Sequence, residues 1–205
     1  MRAILKRLPF ITPMSPRLVA SPPLGSEWLH EIKFDGFRAQ AHVDHGDVAV
    51  FSKAGKNLTR RFRRLPAMVQ KLPASQVIID VELIVCDEAG LLDFTALLRS
   101  GAERNLCQCC FDLLSIDGVS LTEKPLDDRR ERLRKLLQGL PERELVFSMA
   151  FDDPIKLLAA AEEQKIEGLV SKKRASLYRS GPIRDGLKIK TDAWRMASRG
   201  RFKGR

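Results

Sequence analysis

The feature that most narrows the fold is a succession of short β-forming runs separated by tight turns. Trp28–Lys33, Phe37–Val43 and Val48–Phe51 are three such runs, and only Asp44–Asp47, with Gly46 inside it, separates the last two. Four residues can reverse a chain into an antiparallel hairpin but cannot carry the crossover that a parallel pair requires. Val77–Cys86 and Leu106–Ile116 are nearly continuous in apolar residues, as buried strands are, and the second ends in the turn Asp117-Gly118. Leu145–Met149, Leu169–Lys172 and Leu187–Lys190 complete the strands. Helical spacing marks Leu58–Leu72, Phe94–Leu98, Pro154–Lys165 and Leu126–Leu137, the last stopped by Gly139 and Pro141. Helices interspersed among more numerous strands, with recurrent hairpins, predict an α+β fold of antiparallel sheets flanked by helices, rather than a doubly wound parallel sheet.

A chain of 205 residues is long enough for one such domain, since at this size roughly 70% of the unfolded surface is hidden. Residues 9–26 hold five of the eleven prolines and little periodicity. The expected division is therefore an extended proline-rich lead-in over 1–26, a folded domain over 27–190 and a basic, disordered tail over 191–205. Against 26 Asp and Glu stand 36 Lys and Arg, a net charge of +10 that favours a polyanionic partner, with nucleic acid ahead of a membrane. The tail carries five basic residues and one acid, and reads either as a solvated end or as a phosphate-tracking arm with Trp194 and Phe202 free to stack on bases. No run approaches the ~18 apolar residues of a membrane span, and the apolar stretch near the N-terminus is too short for a signal peptide, so the expected location is cytoplasmic.

Cys86, Cys107, Cys109 and Cys110 contain no C-x2-C pair, so small apolar residues on strands are expected rather than zinc ligands. His30, His42 and His45 also lack ligand spacing and read as ordinary strand or surface positions.

Neither G-x-x-x-x-G-K-[ST] nor G-x-G-x-x-G occurs, so a nucleotide would have to be held otherwise. Glu31-Ile32-Lys33-Phe34-Asp35-Gly36-Phe37-Arg38 supplies K-x-D-G-x-R where one strand ends and the next begins. A lysine beside an acid and an arginine, with a glycine that permits close backbone approach, suits nucleophilic lysine chemistry. A lysine attacks only as the neutral amine, which asks for further cations or a metal in the same site, and Lys172, Lys188 and Lys190 are candidates. Asp80 and Glu82 alternate onto one face of an otherwise apolar strand, where carboxylates need partners or ions. Taken singly, Phe111 is most simply a core residue, Lys188 and Lys190 a solvated strand face, and Arg60, Arg61, Arg63 and Arg64 the wet side of a helix.

As an ordered set these segments resemble the covalent nucleotidyltransferases, which comprise the ATP-dependent DNA ligases, RNA ligases and capping enzymes. K-x-D-G-x-R is similar to their motif I, FSKAGKNLTRRF (Phe51–Phe62) to motif Ia, VIIDVELIV (Val77–Val85) to motif III and CFDLLSIDG (Cys110–Gly118) to motif IIIa. EGLVSKK (Glu167–Lys173) is similar to motif IV and GLKIK (Gly186–Lys190) to motif V. The likeness covers roughly residues 9–190 and is nearest to the ligase domain of bacterial non-homologous end-joining ligases. It implies an ATP-grasp-like adenylation domain that uses ATP with Mg²⁺ or Mn²⁺ in nick or break repair, in a bacterial cytosol or nucleoid. Lys33 would attack the α-phosphate of ATP and carry AMP to a DNA 5′-phosphate. Glu31 would read the adenine amino group, Arg38 and Glu82 the ribose, and Phe111 would stack on the base. Glu82 and Glu167 would hold the metal, and Lys188 and Lys190 the α-phosphate. Lys53, Arg60, Arg61, Arg63 and Arg64 would face DNA.

Four departures from the family pattern stand out. Val81 replaces the motif III glycine, which would add bulk beside the ligand, Gly186 stands where motif V begins with Trp, and Lys53 stands where motif Ia has Arg. An OB-fold carrying motif VI would follow motif V, and fifteen residues cannot form that barrel. These departures keep three readings open: a working ligase-type enzyme, a weakened DNA- or nucleotide-binding relic that needs an OB-fold or end-joining partner in trans, and an RNA ligase or capping-type enzyme.

Overall fold

The computed structural model describes residues 8–85, 105–141 and 144–201 and folds them into two sheets that face one another across a cleft. One sheet has the order β1-β11-β10-β2-β9, built from β1 (Met14–Leu18), β11 (Gly181–Lys190), β10 (Gly168–Lys173), β2 (Trp28–Lys33) and β9 (Ala150–Phe151). The other runs β4-β3-β5-β6-β7, from β4 (Asp47–Ser52), β3 (Phe37–Asp44), β5 (Gln76–Val85), β6 (Leu106–Ile116) and β7 (Val119–Ser120), with β8 (Leu145–Phe147) also on β6. Pairing is antiparallel except for β1 with β11 and β6 with β8. The expected α+β class with antiparallel-dominated sheets is what the chain adopts.

Period-two alternation gives each sheet a dry face and a cleft face. Ala39, Ala41, Val43, Val77, Ile79, Val81 and Leu83 form the main core with α1 (Arg64–Val69) and the apolar side of α2 (Leu126–Leu137). Leu169, Ile189 and Ile32 of the first sheet pack against Leu157 and Ala161 of α3 (Pro154–Glu163). The β3–β4 hairpin closes through His45 and Gly46, both at positive φ (50° and 90°), which matches the right-handed strand twist. Val81 lies in the core face, so its side chain adds no bulk to the cleft, contrary to expectation.

Three local expectations change. The proline-rich lead-in supplies β1, whose register shifts between Ser15 and Arg17, around Pro16; an edge strand tolerates proline because one side needs no donor. The helix expected over 58–72 contracts to Arg64–Val69, because 58–62 is held in turns in which Leu58 O accepts from Arg61 N and Phe62 N. The tail is helical rather than disordered over α4 (Asp192–Arg201): Thr191 Oγ1 accepts from Trp194 N at 3.2 Å, and Glu162 accepts from Asp192 N and Ala193 N at 2.8 and 2.7 Å. Glu162 comes from α3, outside the basic run, so the composition of the run carried no trace of that cap. Cys107, Cys109 and Cys110 lie buried on β6, as expected, and burial pushes the Cys109 thiol up to about 12. Cys86, Phe202 and the Phe94–Leu98 helix fall outside the described residues. Among the described residues, no helix is long and apolar enough to cross a membrane.

Where α2 begins, the apolar stripe is broken by two buried arginines. Arg129 is fully buried and grips Asp112 on β6 with two bonds of 2.7 and 3.0 Å, while donating to the carbonyls of Lys124 (2.6 Å) and Ser176 (3.0 Å). Removing one partner of a buried pair strands the other charge, which costs about 3–5 kcal/mol. Asp112→Ala should therefore lower the thermal midpoint by about 10 °C. The double variant Asp112→Leu/Arg129→Met should recover much of that loss in the same melting experiment.

Candidate active site

Strand register assembles the cleft wall from three chain segments. Lys33 on β2 and Lys190 on β11 are both partnered with Gly168 on the intervening β10, so one rung of the sheet reads Lys33–Gly168–Lys190. The next rung on the same face is Glu31–Val170–Lys188, and Lys172 pairs with Gly186 one rung further. Gly168 is obligatory here: its φ is +151°, and a Cβ would lie 1.9 Å from the carbonyl oxygen of Ile189.

Glu167, just before β10, joins the two lysines. Its Oε2 is 2.8 Å from Lys33 Nζ and its Oε1 3.3 Å from Lys190 Nζ. Lys188 is pushed down by burial and by the charges of Lys33, Lys53 and Lys190, so this end of the cleft is crowded with positive charge. Such a field suits the phosphates of a nucleotide.

Glu31 is buried at the other end and engaged on both oxygens. Arg130 of α2 donates to Oε1, whereas Ser148 Oγ (3.1 Å) and Lys172 Nζ (2.8 Å) donate to Oε2. Phe111 borders the same space, with Lys172 Nζ 4.6 Å and Arg38 Cζ 5.3 Å from its ring centroid. Arg38 binds Asp80 with bonds of 3.0 and 2.7 Å and donates to the Met14 carbonyl of the opposite sheet. Tyr178 adds a 2.8 Å hydrogen bond to Asp80, and burial, with Asp80 beside it, pushes its phenol up so that it remains a donor.

The structure thus brings Glu31, Lys33, Arg38, Glu82, Phe111, Glu167, Lys188 and Lys190 to one cleft. Lys53 joins this region through its backbone bond to the Arg38 carbonyl, 3.0 Å. Arg60, Arg61, Arg63 and Arg64 are exposed. Arg61 lies over Phe37 and Phe62 (5.7 and 5.2 Å to the centroids), and Arg64 is 3.9 Å from Glu144. Gly36 is needed for a reason motif I does not show: a Cβ there would lie 2.4 Å from the Leu83 carbonyl oxygen of β5. Trp194 is not a free base-stacking group, since its ring lies under Lys190.

Arg129, Arg130, Ser148 and Tyr178 escaped sequence reasoning. A trace of the arginines was present, because Leu126, Arg129, Arg130 and Leu133 follow i, i+3, i+4, i+7 spacing and so share the buried stripe. For a divalent cation, Glu167 is bonded to Lys33 and Glu82 feels the charge of Lys33, and among the described residues no cluster of three metal-ligating side chains exists. Two carboxylates suffice for Mg²⁺, which completes its shell with phosphate oxygens and water, so the donor set fits such an ion.

A cationic cleft between two antiparallel-dominated sheets is the architecture of a nucleotidyltransferase domain. Residues 19–190 match the model of the ATP dependent DNA ligase domain, and the chain belongs to that family. Pseudomonas aeruginosa multifunctional non-homologous end joining protein LigD is 36% identical over 185 residues, spanning 88% of this chain and 22% of that protein. DNA ligase of Aeropyrum pernix is 31% identical over 184 residues, spanning 82% of this chain and 30% of the relative. Among solved structures, mycobacterial DNA ligase D complexed with ATP and MES superimposes with a TM-score of 0.78 at 27% identity, covering 88% of this chain and 60% of that one. The chain therefore spans less than a third of these curated relatives.

Burial pushes the Glu82 carboxyl up to about 7 against the pull of Lys33 and Arg38, with Asp80 and Glu167 adding to the rise. Between the ordinary value of 4.5 and about 7 the folded chain binds more protons at this site than the unfolded chain, so its stability falls as pH rises through that window. Glu82→Gln abolishes that dependence. Its thermal midpoint should lie near that of the wild type at pH 5 and exceed it by about 5 °C at pH 8.

Proposed function

We propose that the chain is a DNA ligase-type adenylation domain that forms a lysyl-AMP bond at Lys33 and passes AMP to the 5′-phosphate of a DNA nick or broken end. The observation that carries this reading is the rung Lys33–Gly168–Lys190 with Glu167 bonded to both lysines. Lys33 Nζ attacks the α-phosphorus of ATP, a P–N bond forms, and the P–O bond to pyrophosphate breaks. Glu167 Oε2, 2.8 Å away, is placed to take the proton that Lys33 must lose. Lys188 and Lys190 offset the charge that gathers on the α-phosphate oxygens. Glu31 and Phe111 receive the base, the former offering what remains of its accepting capacity after Arg130, Ser148 and Lys172. Mg²⁺ or Mn²⁺ at Glu82 and Glu167 would neutralise phosphate charge.

Adenylate transfer to DNA follows as a second in-line displacement, the P–N bond breaking as the 5′-phosphate attacks. A 3′-hydroxyl then displaces AMP and seals the strand. LigD and the archaeal DNA ligase are named for end joining and DNA ligation, which supports DNA over RNA as the acceptor. Lys53, Arg60, Arg61, Arg63 and Arg64 supply sequence-independent phosphate contacts along the approach.

Intact mass after incubation with ATP and Mg²⁺ should show one added AMP on the wild type and none on Lys33→Ala; no adduct on either protein, or equal adducts on both, rejects the assignment. Binding to nicked duplex should weaken linearly in log K against log[salt]. Lys53→Ala/Arg60→Ala should reduce that slope by about 2, from roughly 0.9 per lost phosphate contact, in a fluorescence anisotropy titration.

A further inference from the structure

Trp194 lies against Lys190, the lysine that shares Glu167 with Lys33. Lys190 Nζ lies 3.7 Å from its ring centroid, and its indole Nε1–H donates to Asp35 Oδ2 at 3.3 Å. Asp35 is two residues beyond Lys33, in the loop that joins β2 to β3. One side chain therefore touches both a lysine of β11 and the loop that follows the nucleophile. Its position is fixed from the same backbone that aims Glu167. Thr191 N donates to the Glu167 carbonyl (3.0 Å) and Thr191 Oγ1 to the Ile166 carbonyl (2.6 Å), while Oγ1 accepts from Trp194 N (3.2 Å). Glu162 of α3 holds the first turn of α4.

A lysine ammonium is a compact charge on a flexible four-carbon stem. With Glu167 Oε1 at 3.3 Å as its sole anchor, Lys190 would be free to fold onto that carboxylate or swing to solvent. An aromatic face attracts the charge through its quadrupole without the directionality of a hydrogen bond. It holds the ammonium in place while leaving N–H groups for a phosphate oxygen.

We propose that Trp194 is a positioning residue for nucleotidyl transfer: its ring holds Lys190 at the α-phosphate, and its N–H ties the Lys33 loop to the end of β11. The proposal rests on the reading of Lys33 as the nucleophile. It gives α4 a part in the chemistry although none of the motifs I to V includes it.

Single-turnover formation of the AMP adduct, followed by intact mass, tests it in wild type, Trp194→Phe and Trp194→Leu. At saturating ATP, Trp194→Leu should lose about tenfold in rate while the ATP concentration for half-maximal rate changes less than about twofold. Trp194→Phe, which keeps a ring face but no N–H, should lose about threefold. A wild-type rate in Trp194→Leu overturns the proposal and leaves Lys33 as nucleophile untouched. A second measurement needs no turnover and no loss of Trp194. The sequence has two tryptophans, so Trp28→Phe leaves Trp194 as the reporter, and Lys190→Met in that background should shift its emission. Identical spectra mean the ring does not hold Lys190 and overturn the proposal, whereas absence of any adduct in the wild type, with the shift present, rejects only the Lys33 reading.

Discussion

Three donors from three distant parts of the chain converge on the carboxylate of Glu31: Arg130 at the start of α2, Ser148 after β8 and Lys172 on β10. The convergence matters because the two sheets cannot close on each other with apolar side chains if a nucleotide is to enter between them. Their cleft faces must stay polar, and polar groups removed from water need partners. Arg130 meets the requirement across the gap, bonded to Glu31 of one sheet and 3.4 Å from the Phe111 carbonyl of the other. Arg38, bonded to Asp80 and to the Met14 carbonyl, does the same at the opposite side. Charged cross-links thus fix the width of the cleft, while each sheet keeps its apolar packing for the helix behind it.

This division explains what could be read from the sequence and what could not. Glu31 and Lys33, two residues apart on β2, had to share a face, and so did Lys188 and Lys190 on β11. Bringing these strands within one β10 width of each other is a matter of register, which the segments announce only as a set. The hairpin through His45 and Gly46 was local and legible. So was the buried character of β5 and β6, although the orientation of Val81 was misjudged: Asp80 and Glu82 already occupied the cleft face, so alternation sent the intervening residue to the core.

What stayed hidden depends on long-range partners. Arg129 and Arg130 look like ordinary charged helix residues until Asp112 and Glu31 come to meet them. Tyr178 gains meaning through Asp80, 98 positions away. The helix after Thr191 owes its first turn to Glu162 and Thr191, so a composition rich in arginine and glycine pointed toward disorder while its capping pointed the other way. Local charge density is a weak guide wherever caps are supplied by another element.

The parallel contact of β1 with β11 ties residues 14–18 to residues 181–188. One whole sheet is therefore gathered from two segments far apart in sequence, β1 and β2 within residues 14–33 and β9 to β11 within residues 150–190. Such pairings carry a large loop-closure entropy and form late. The other sheet, drawn from a single interior stretch save for β8, can organise earlier. Lys33 therefore gains Glu167, Lys188 and Lys190 as neighbours only once β10 and β11 have docked beside β2, so the cationic wall of the cleft is among the last parts of the fold to be assembled.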